Sequence, residues 1–153
     1  MSLYLVQHGK SLSKDVDPEK GLSEEGRMEV EKVADTAKFY NVKVSRILHS
    51  GKTRARQTAK IFASALGIEE KVEESSGIKP LDDVSSFAPK LEPGANIMIV
   101  GHLPFMEKLT SYLVTGSEEK TIFKFQNGGI VCLDKGPENQ PWTIKWSISP
   151  HIG

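Results

Sequence analysis

Four apolar residues in succession, Leu3-Tyr4-Leu5-Val6, run straight into Gln7-His8-Gly9. A short unbroken apolar run that stops at a glycine turn is the pattern of a buried strand. The pattern returns later, where the apolar stretch Asn96–Val100 ends on Gly101-His102. In an open α/β sheet, ligands bind in the crevice outside the carboxyl ends of the strands. His8, the first residue past the first strand, therefore stands where chemistry is expected. Gly9 behind it lets the backbone come close to a ligand.

The segments between these runs predict what covers the strands. Ser23 is placed to cap a helix, with Glu24 and Glu25 in its first turn, where carboxylates oppose the helix dipole. Val30, Val33, Ala34 and Ala37 follow at helical spacing and carry that helix to about Tyr40. Ser45–His49 reads as a second strand broken by Ser50-Gly51. From Thr53, the residues Ala55, Ala59, Phe62, Ala65 and Leu66 form one helical face that Gly67 terminates. A short strand over Lys71–Glu74 and a helix over Leu81–Leu91, closed by Pro93-Gly94, fill the middle. Pro104 suits the first turn of a helix whose buried face is Phe105, Leu109, Tyr112 and Leu113, ending at Gly116. Strands are expected at Thr121–Phe125, Gly129–Leu133 and Trp142–Ile148. Strands and helices alternate early and strands close the chain, which predicts an α/β fold: a mostly parallel central sheet between helical layers, in one domain spanning 1–153.

Composition removes several function classes. The 153 residues carry 20 basic and 20 acidic side chains. Without a basic stripe, a nucleic-acid partner has no electrostatic support. No apolar run approaches the roughly 20 residues of a membrane helix, and no signal-peptide succession opens the chain, so a cytoplasmic location is expected. Cys132, inside the apolar run Ile130–Leu133, reads as a buried structural thiol. Gly9-Lys10-Ser11 and Gly51-Lys52-Thr53 imitate the end of a nucleotide P-loop, but the glycine required five residues earlier is Tyr4 in one case and Arg46 in the other. His8, His49, His102 and His151 lack paired metal-ligand spacing, and no G-x-S-x-G elbow is present.

What remains is one constellation. His8 follows the first strand, Arg54 opens the helix after the second, and His102 follows a later strand. Parallel neighbouring strands would bring all three to one crevice. A helix N-terminus and an arginine there suit a phosphoryl group, and a histidine among them could carry it covalently.

The motifs that hold these residues resemble the histidine phosphatase superfamily, in the branch related to phosphoglycerate mutases and most closely its small SixA-type phosphohistidine phosphatases. Leu5-Val6-Gln7-His8-Gly9 resembles the first-strand Arg-His-Gly signature. Gly21–Gly26 is similar to its Leu-Ser/Thr-x-x-Gly helix start, and Ser50–Ala59 to its Ser-x-x-x-Arg-Ala-x-Gln-Thr-Ala segment. Val100–Pro104 resembles the second-histidine motif, and Trp146–Pro150 the SixA-type ending. The resemblance implies a phosphoglycerate mutase-like three-layer α/β/α sandwich. It also implies a phosphatase whose nucleophile is His8, with Gln7, Arg54 and His102 binding the phosphoryl oxygens, and no metal or cofactor. The implied partner is a protein bearing phosphohistidine or a small phosphorylated substrate, with no nucleic acid, no membrane and no oligomeric state specified.

Two departures from the family pattern shape the expectation. Gln7 stands where the family has arginine, so a charge-assisted contact worth roughly 1.5–3 kcal/mol is missing, unless Lys10 or Lys52 supplies the charge. Larger family members carry an acid in the segment aligned with Gly77-Ile78-Lys79-Pro80, which holds no carboxylate here. Asp82 and Asp83 are the nearest candidates for the general acid, with Asp83 the one favoured. An imidazole leaving group, with a conjugate acid near pKa ~6.5, departs with little help, whereas an alkoxide needs a proton. A site poor in acid therefore favours phosphohistidine over alcohol phosphates. The alternatives are a degenerate family member that binds phosphoryl groups without turnover, and a small-molecule phosphomonoesterase.

Overall fold

The structure is a computed structural model and describes residues 2–92 and 94–152. Its centre is a six-stranded sheet: β1 (Ser2–Gln7), β2 (Arg46–His49), β3 (Val72–Glu74), β4 (Ile97–Gly101), β5 (Ile130–Lys135) and β6 (Trp142–Ile148), in the order β3-β2-β4-β1-β5-β6. The first four strands pair in parallel, and β5 and β6 add antiparallel to the far side of β1. The sheet is thus mixed, its parallel half built from the strands that the helical crossovers join.

Strand alternation splits the core into two layers. Tyr4 and Val6 of β1 join Met98, Val100, Ile130 and Cys132 on one face, against α1 (Glu24–Phe39) and α2 (Thr53–Leu66). Leu3 and Leu5 join Ile97, Ile99, Val131 and Leu133 on the other, against α3 (Val84–Phe87) and α4 (Phe105–Thr115). This is the expected α/β/α arrangement, and Cys132 is buried within it. One irregularity matters for side-chain direction. A register shift between Cys132 and Leu133 sets Trp146 opposite Cys132 but Ile144 opposite Leu133, so Lys145 is an extra residue on β6. A bulge of this kind reverses the alternation along its strand. Trp142 accordingly packs in the layer of α3 and α4, and Trp146 in that of α1 and α2, 5.9 Å from Tyr4 between ring centroids.

The helices begin and end for local reasons. Ser23 caps α1 as expected, its Oγ accepting from the Gly26 amide at 3.0 Å. Gly67 and Gly116 close α2 and α4 in the left-handed conformation. Pro104 sits at the N-cap of α4, one residue ahead of the first turn expected for it. Among the described residues, no helix is long and apolar enough to cross a membrane.

Three expected elements are corrected. Leu81–Leu91 holds only the single turn of α3 followed by a 3-10 turn at Ala88–Lys90. Proline at position 89 and the weak formers Ser85 and Ser86 leave little to propagate a longer helix. Pro93 of the expected Pro93-Gly94 stop lies outside the described residues. Thr121–Phe125 is not a strand. Its aromatics are drawn to the core individually: Phe125 is buried, and Phe123 stacks edge-on against it with centroids 4.9 Å apart. The short strand after α2 begins at Val72, because Glu69–Lys71 forms a 3-10 turn.

Gly26 explains how α1 reaches the loop after His8. A methyl group at Gly26 would lie 2.1 Å from the Lys10 carbonyl oxygen, and the Ser23 amide donates to that same oxygen at 3.0 Å. Helix and loop are in backbone contact, so neither can give way. Gly26→Ala is expected to destabilise the fold by about 1–3 kcal/mol, read as a lower urea midpoint at unchanged slope. An unchanged midpoint would show that the loop moves freely relative to α1.

Candidate active site

The parallel pairing of β1 with β4 places Gln7 opposite Gly101. The next residue on each strand is a histidine, and the His8 amide donates to the Gly101 carbonyl at 3.0 Å. The two rings consequently lie 4.9 Å apart between centroids. On the other side of β4, β2 ends in parallel at His49, so Ser50 and the start of α2 reach the same crevice. His8, Arg54 and His102 are thus brought together as their positions predict.

The polar contacts orient each ring. His8 Nδ1 lies 2.7 Å from the Gly9 carbonyl, which only accepts, so Nδ1 carries the proton. Nε2 is left as an acceptor, and the Arg54 Nε–H donates to it at 3.3 Å. The backbone around His8 is held as firmly. Its carbonyl accepts from Asn127 Nδ2 at 3.0 Å and from the Gly128 amide at 3.2 Å, while the Gly9 amide donates to Thr58 Oγ1 at 3.0 Å. His102 is buried, with Nε2 2.6 Å from Ser50 Oγ and Nδ1 without a partner. The Lys52 amide also donates to Ser50 Oγ at 3.4 Å.

Burial and neighbouring cations keep both imidazoles neutral. His8 is lowered to about 4, chiefly by desolvation, with its bond to the Gly9 carbonyl opposing the shift and Arg54 and Lys20 reinforcing it. His102 is lowered to about 3 by desolvation, then by His8, Arg54, Lys52 and Lys20. Two uncharged imidazoles beside a cluster of cations can offer a lone pair and hydrogen bonds to an oxyanion, with the positive field supplied by the neighbours.

Sequence reasoning passed over Ser50, which touches His102, and Lys20, whose charge acts on both rings. Ser50 was visible as the first residue of the Ser-x-x-x-Arg segment, but its bond to His102 depends on β2 and β4 being neighbours. Lys20 comes from the loop between β1 and α1, and no motif marks it. That loop is anchored: the Gly21 and Glu19 amides donate to the Asp17 carboxylate, and Gln57 Oε1 accepts from the Leu22 amide at 2.7 Å.

Among the described residues, no hydrogen bond joins the other expected residues to the two rings. Gln7 is buried at the end of β1, its Oε1 has no hydrogen-bond partner, and it lines a cleft beside the histidines. Asp83, the expected acid, is engaged within its own turn. Its carboxylate caps α3, accepting from the Ser85 amide and from the hydroxyls of Ser85 and Ser86. Those bonds, the one from Ser86 foremost, hold its pKa below the usual carboxylate value and keep it ionised. Asp82 accepts from the Lys79 amide, and Ile78, in the segment where larger relatives place the acid, is core. Lys10 pairs with Glu25 at 3.0 Å and with Glu29 at 3.6 Å, so its charge is already met. Lys52 stays close enough to act on His102. Among the described residues, no group of three His, Cys, Asp or Glu side chains is placed to hold a metal ion.

Comparison with known proteins agrees with this geometry. Residues 3–79 match the family model of the histidine phosphatase superfamily (branch 1). The phosphohistidine phosphatase SixA of Escherichia coli (strain K12) is 27% identical over 156 residues, covering 98% of this chain and 94% of that protein. A structure of the protein histidine phosphatase SixA complexed with tungstate superposes with a TM-score of 0.81 at 23% identity, over 98% of this chain and 97% of that one. The alpha-ribazole phosphatase from Shigella flexneri gives 0.74 at 17% identity, over 100% and 98%. The expected phosphoglycerate mutase-like fold is the one these structures share.

The depressed histidines have a measurable consequence. In the unfolded chain both would titrate near pKa ~6.5, so between that pH and about 4 the unfolded state binds more protons than the folded one. Stability therefore falls as pH drops through this window. The urea midpoint should decline from pH 6.5 toward 4, and the His8 and His102 ring resonances should remain those of neutral imidazole at pH 5. Titration of either ring near 6.5 in the folded protein would contradict the burial described.

Proposed function

The chain belongs to the histidine phosphatase superfamily (branch 1), and on that premise we propose that it removes phosphoryl groups from phosphohistidine in proteins, through a covalent intermediate on His8 Nε2. The observation that carries this reading is the pair of contacts on one ring: Nδ1 donating to Gly9, and an unprotonated Nε2 facing Arg54. A nucleophile must offer a lone pair at the reacting atom, and this tautomer offers it toward the arginine. The tungstate complex of the structurally similar SixA supports an oxyanion in such a site.

In the first step, the Nε2 lone pair forms a bond to phosphorus as the bond from phosphorus to the substrate imidazole breaks. The departing nitrogen keeps the electron pair. When the substrate ring is protonated on its other nitrogen, it leaves as neutral imidazole and needs no acid from the enzyme. Arg54 holds the phosphoryl oxygens, and the His102 Nε2–H, which meets Ser50 Oγ in the resting site, donates to them as charge redistributes. In the second step, water attacks phosphorus, the pair in the P–N bond returns to His8, and the water proton leaves with phosphate or to solvent. Asp83, bound into the cap of α3, supplies no proton, which favours an imidazole leaving group over an alkoxide.

Gln7 is the observation behind a second reading, in which the site binds phosphoryl groups without turnover. It adds no charge, and the cations near the rings are Arg54, Lys20 and Lys52.

Rapid quench with a protein labelled on phosphohistidine tests the first reading. Acid-labile phosphate should appear on the enzyme, and His8→Ala should lose both label and turnover. Turnover by His8→Ala at the parent rate would end the covalent mechanism. Gln7→Arg separates the two readings. In a working enzyme short of one cation, it should raise turnover by about ten- to a hundredfold. Tighter vanadate binding with no turnover in either form would favour the binder.

A further inference from the structure

Beside the two histidines lies a cleft of about 640 Å³, within the range of roughly 300–1,000 Å³ that accommodates ligands the size of a few residues. It abuts the site directly. Gln7 and Leu103, the chain neighbours of His8 and His102, form part of its wall, as does Asn127, which holds the His8 carbonyl. An apolar patch on Leu103 and Phe125 is flanked by Lys124 and Lys10, and no carboxylate is among its lining residues.

The two lysines are not equivalent. Lys10 is committed to Glu25 and Glu29. His151, also in the lining, is likewise bonded to Glu29, and its backbone is clipped in both directions by the Gln126 amide. Lys124 is exposed and, among the described residues, makes no ion pair. Gln7 also lines the cleft and is only 9% exposed.

We propose that this cleft receives an acidic polypeptide segment flanking the phosphohistidine of the substrate protein. Its carboxylates meet Lys124, and its aliphatic carbons meet Leu103 and Phe125. The inference deepens the phosphatase reading and rests on it for the identity of the phosphorylated residue. It makes Lys124 a specificity determinant lying outside the phosphoryl site, so its effect depends on what flanks the phosphohistidine.

The test uses the full chain, its Lys124→Glu variant and three substrates: phosphoimidazole, and two phosphohistidine peptides that differ only in carrying glutamates or lysines beside the histidine. The parent should favour the glutamate peptide in kcat/KM by about five- to tenfold, and added salt should shrink that preference. Lys124→Glu should abolish or reverse it while hydrolysing phosphoimidazole at the parent rate. Equal parent rates on both peptides would overturn the proposal, as would an equal loss on all three substrates in the variant. Fluorescence anisotropy with the unphosphorylated peptides separates this inference from the one beneath it. Lys124-dependent binding of the glutamate peptide without any turnover keeps the cleft and removes the phosphatase reading. Turnover with no charge preference in rates or binding removes the cleft and keeps the phosphatase.

Discussion

Parallel pairing of β1 with β4, in the register that sets Gln7 opposite Gly101, is the constraint on which the meeting of His8 and His102 depends. It ends two adjacent strands at the same level, so the residue following each meets the other across the sheet edge. A slip of one residue would turn each strand's side chains to the opposite layer. Leu3 and Leu5 would then trade places with Tyr4 and Val6, and both cores forbid that exchange. The packing that stabilises the fold therefore also sets the separation of the two rings. Backbone hydrogen bonds from Gly128 to Gln7 and His8 carry the constraint past the end of the strand.

Burial has opposite effects on the two kinds of group in the crevice. It pushes both imidazoles toward the neutral form, and it strengthens the field of the cations that remain. The arrangement suits an anion that arrives already charged, because nothing in the resting site has to lose a proton first. It also divides labour by position. The residues proposed to hold a phosphoryl group come from strand ends and the first turn of α2, which are rigid, whereas Lys20 and Lys124 come from loops, where sequence can change without disturbing the core.

Sequence reasoning recovered what periodicity and local chemistry encode. Ser23, Gly67 and Gly116 marked helix ends through side-chain capping or left-handed backbone, and each does so. The meeting of His8, Arg54 and His102 was legible because each follows or opens an element whose direction in a parallel sheet is fixed. The misread segments are those where burial is won by single residues. Phe123 and Phe125 alternate like a strand yet have no neighbouring ladder, since β5 and β6 already complete that side of the sheet. Ser50 and Lys20 escaped because their roles are set by contacts between elements. Asp83 looked free in the sequence, but its carboxylate is claimed by Ser85 and Ser86, two and three residues away.

The extra residue on β6 has an optical consequence. Trp142 and Trp146, the two tryptophans of the chain, stand on opposite faces of one strand because Lys145 shifts the register between them. Each indole therefore packs against a different helical layer, Trp142 buried with α4 and Trp146 half-buried against Tyr4 and α1. Intrinsic emission from this chain is a composite of two local spectra. Replacing either indole with phenylalanine would leave a probe of one layer alone, so that loosening on the two sides of the sheet could be followed separately without attaching a dye.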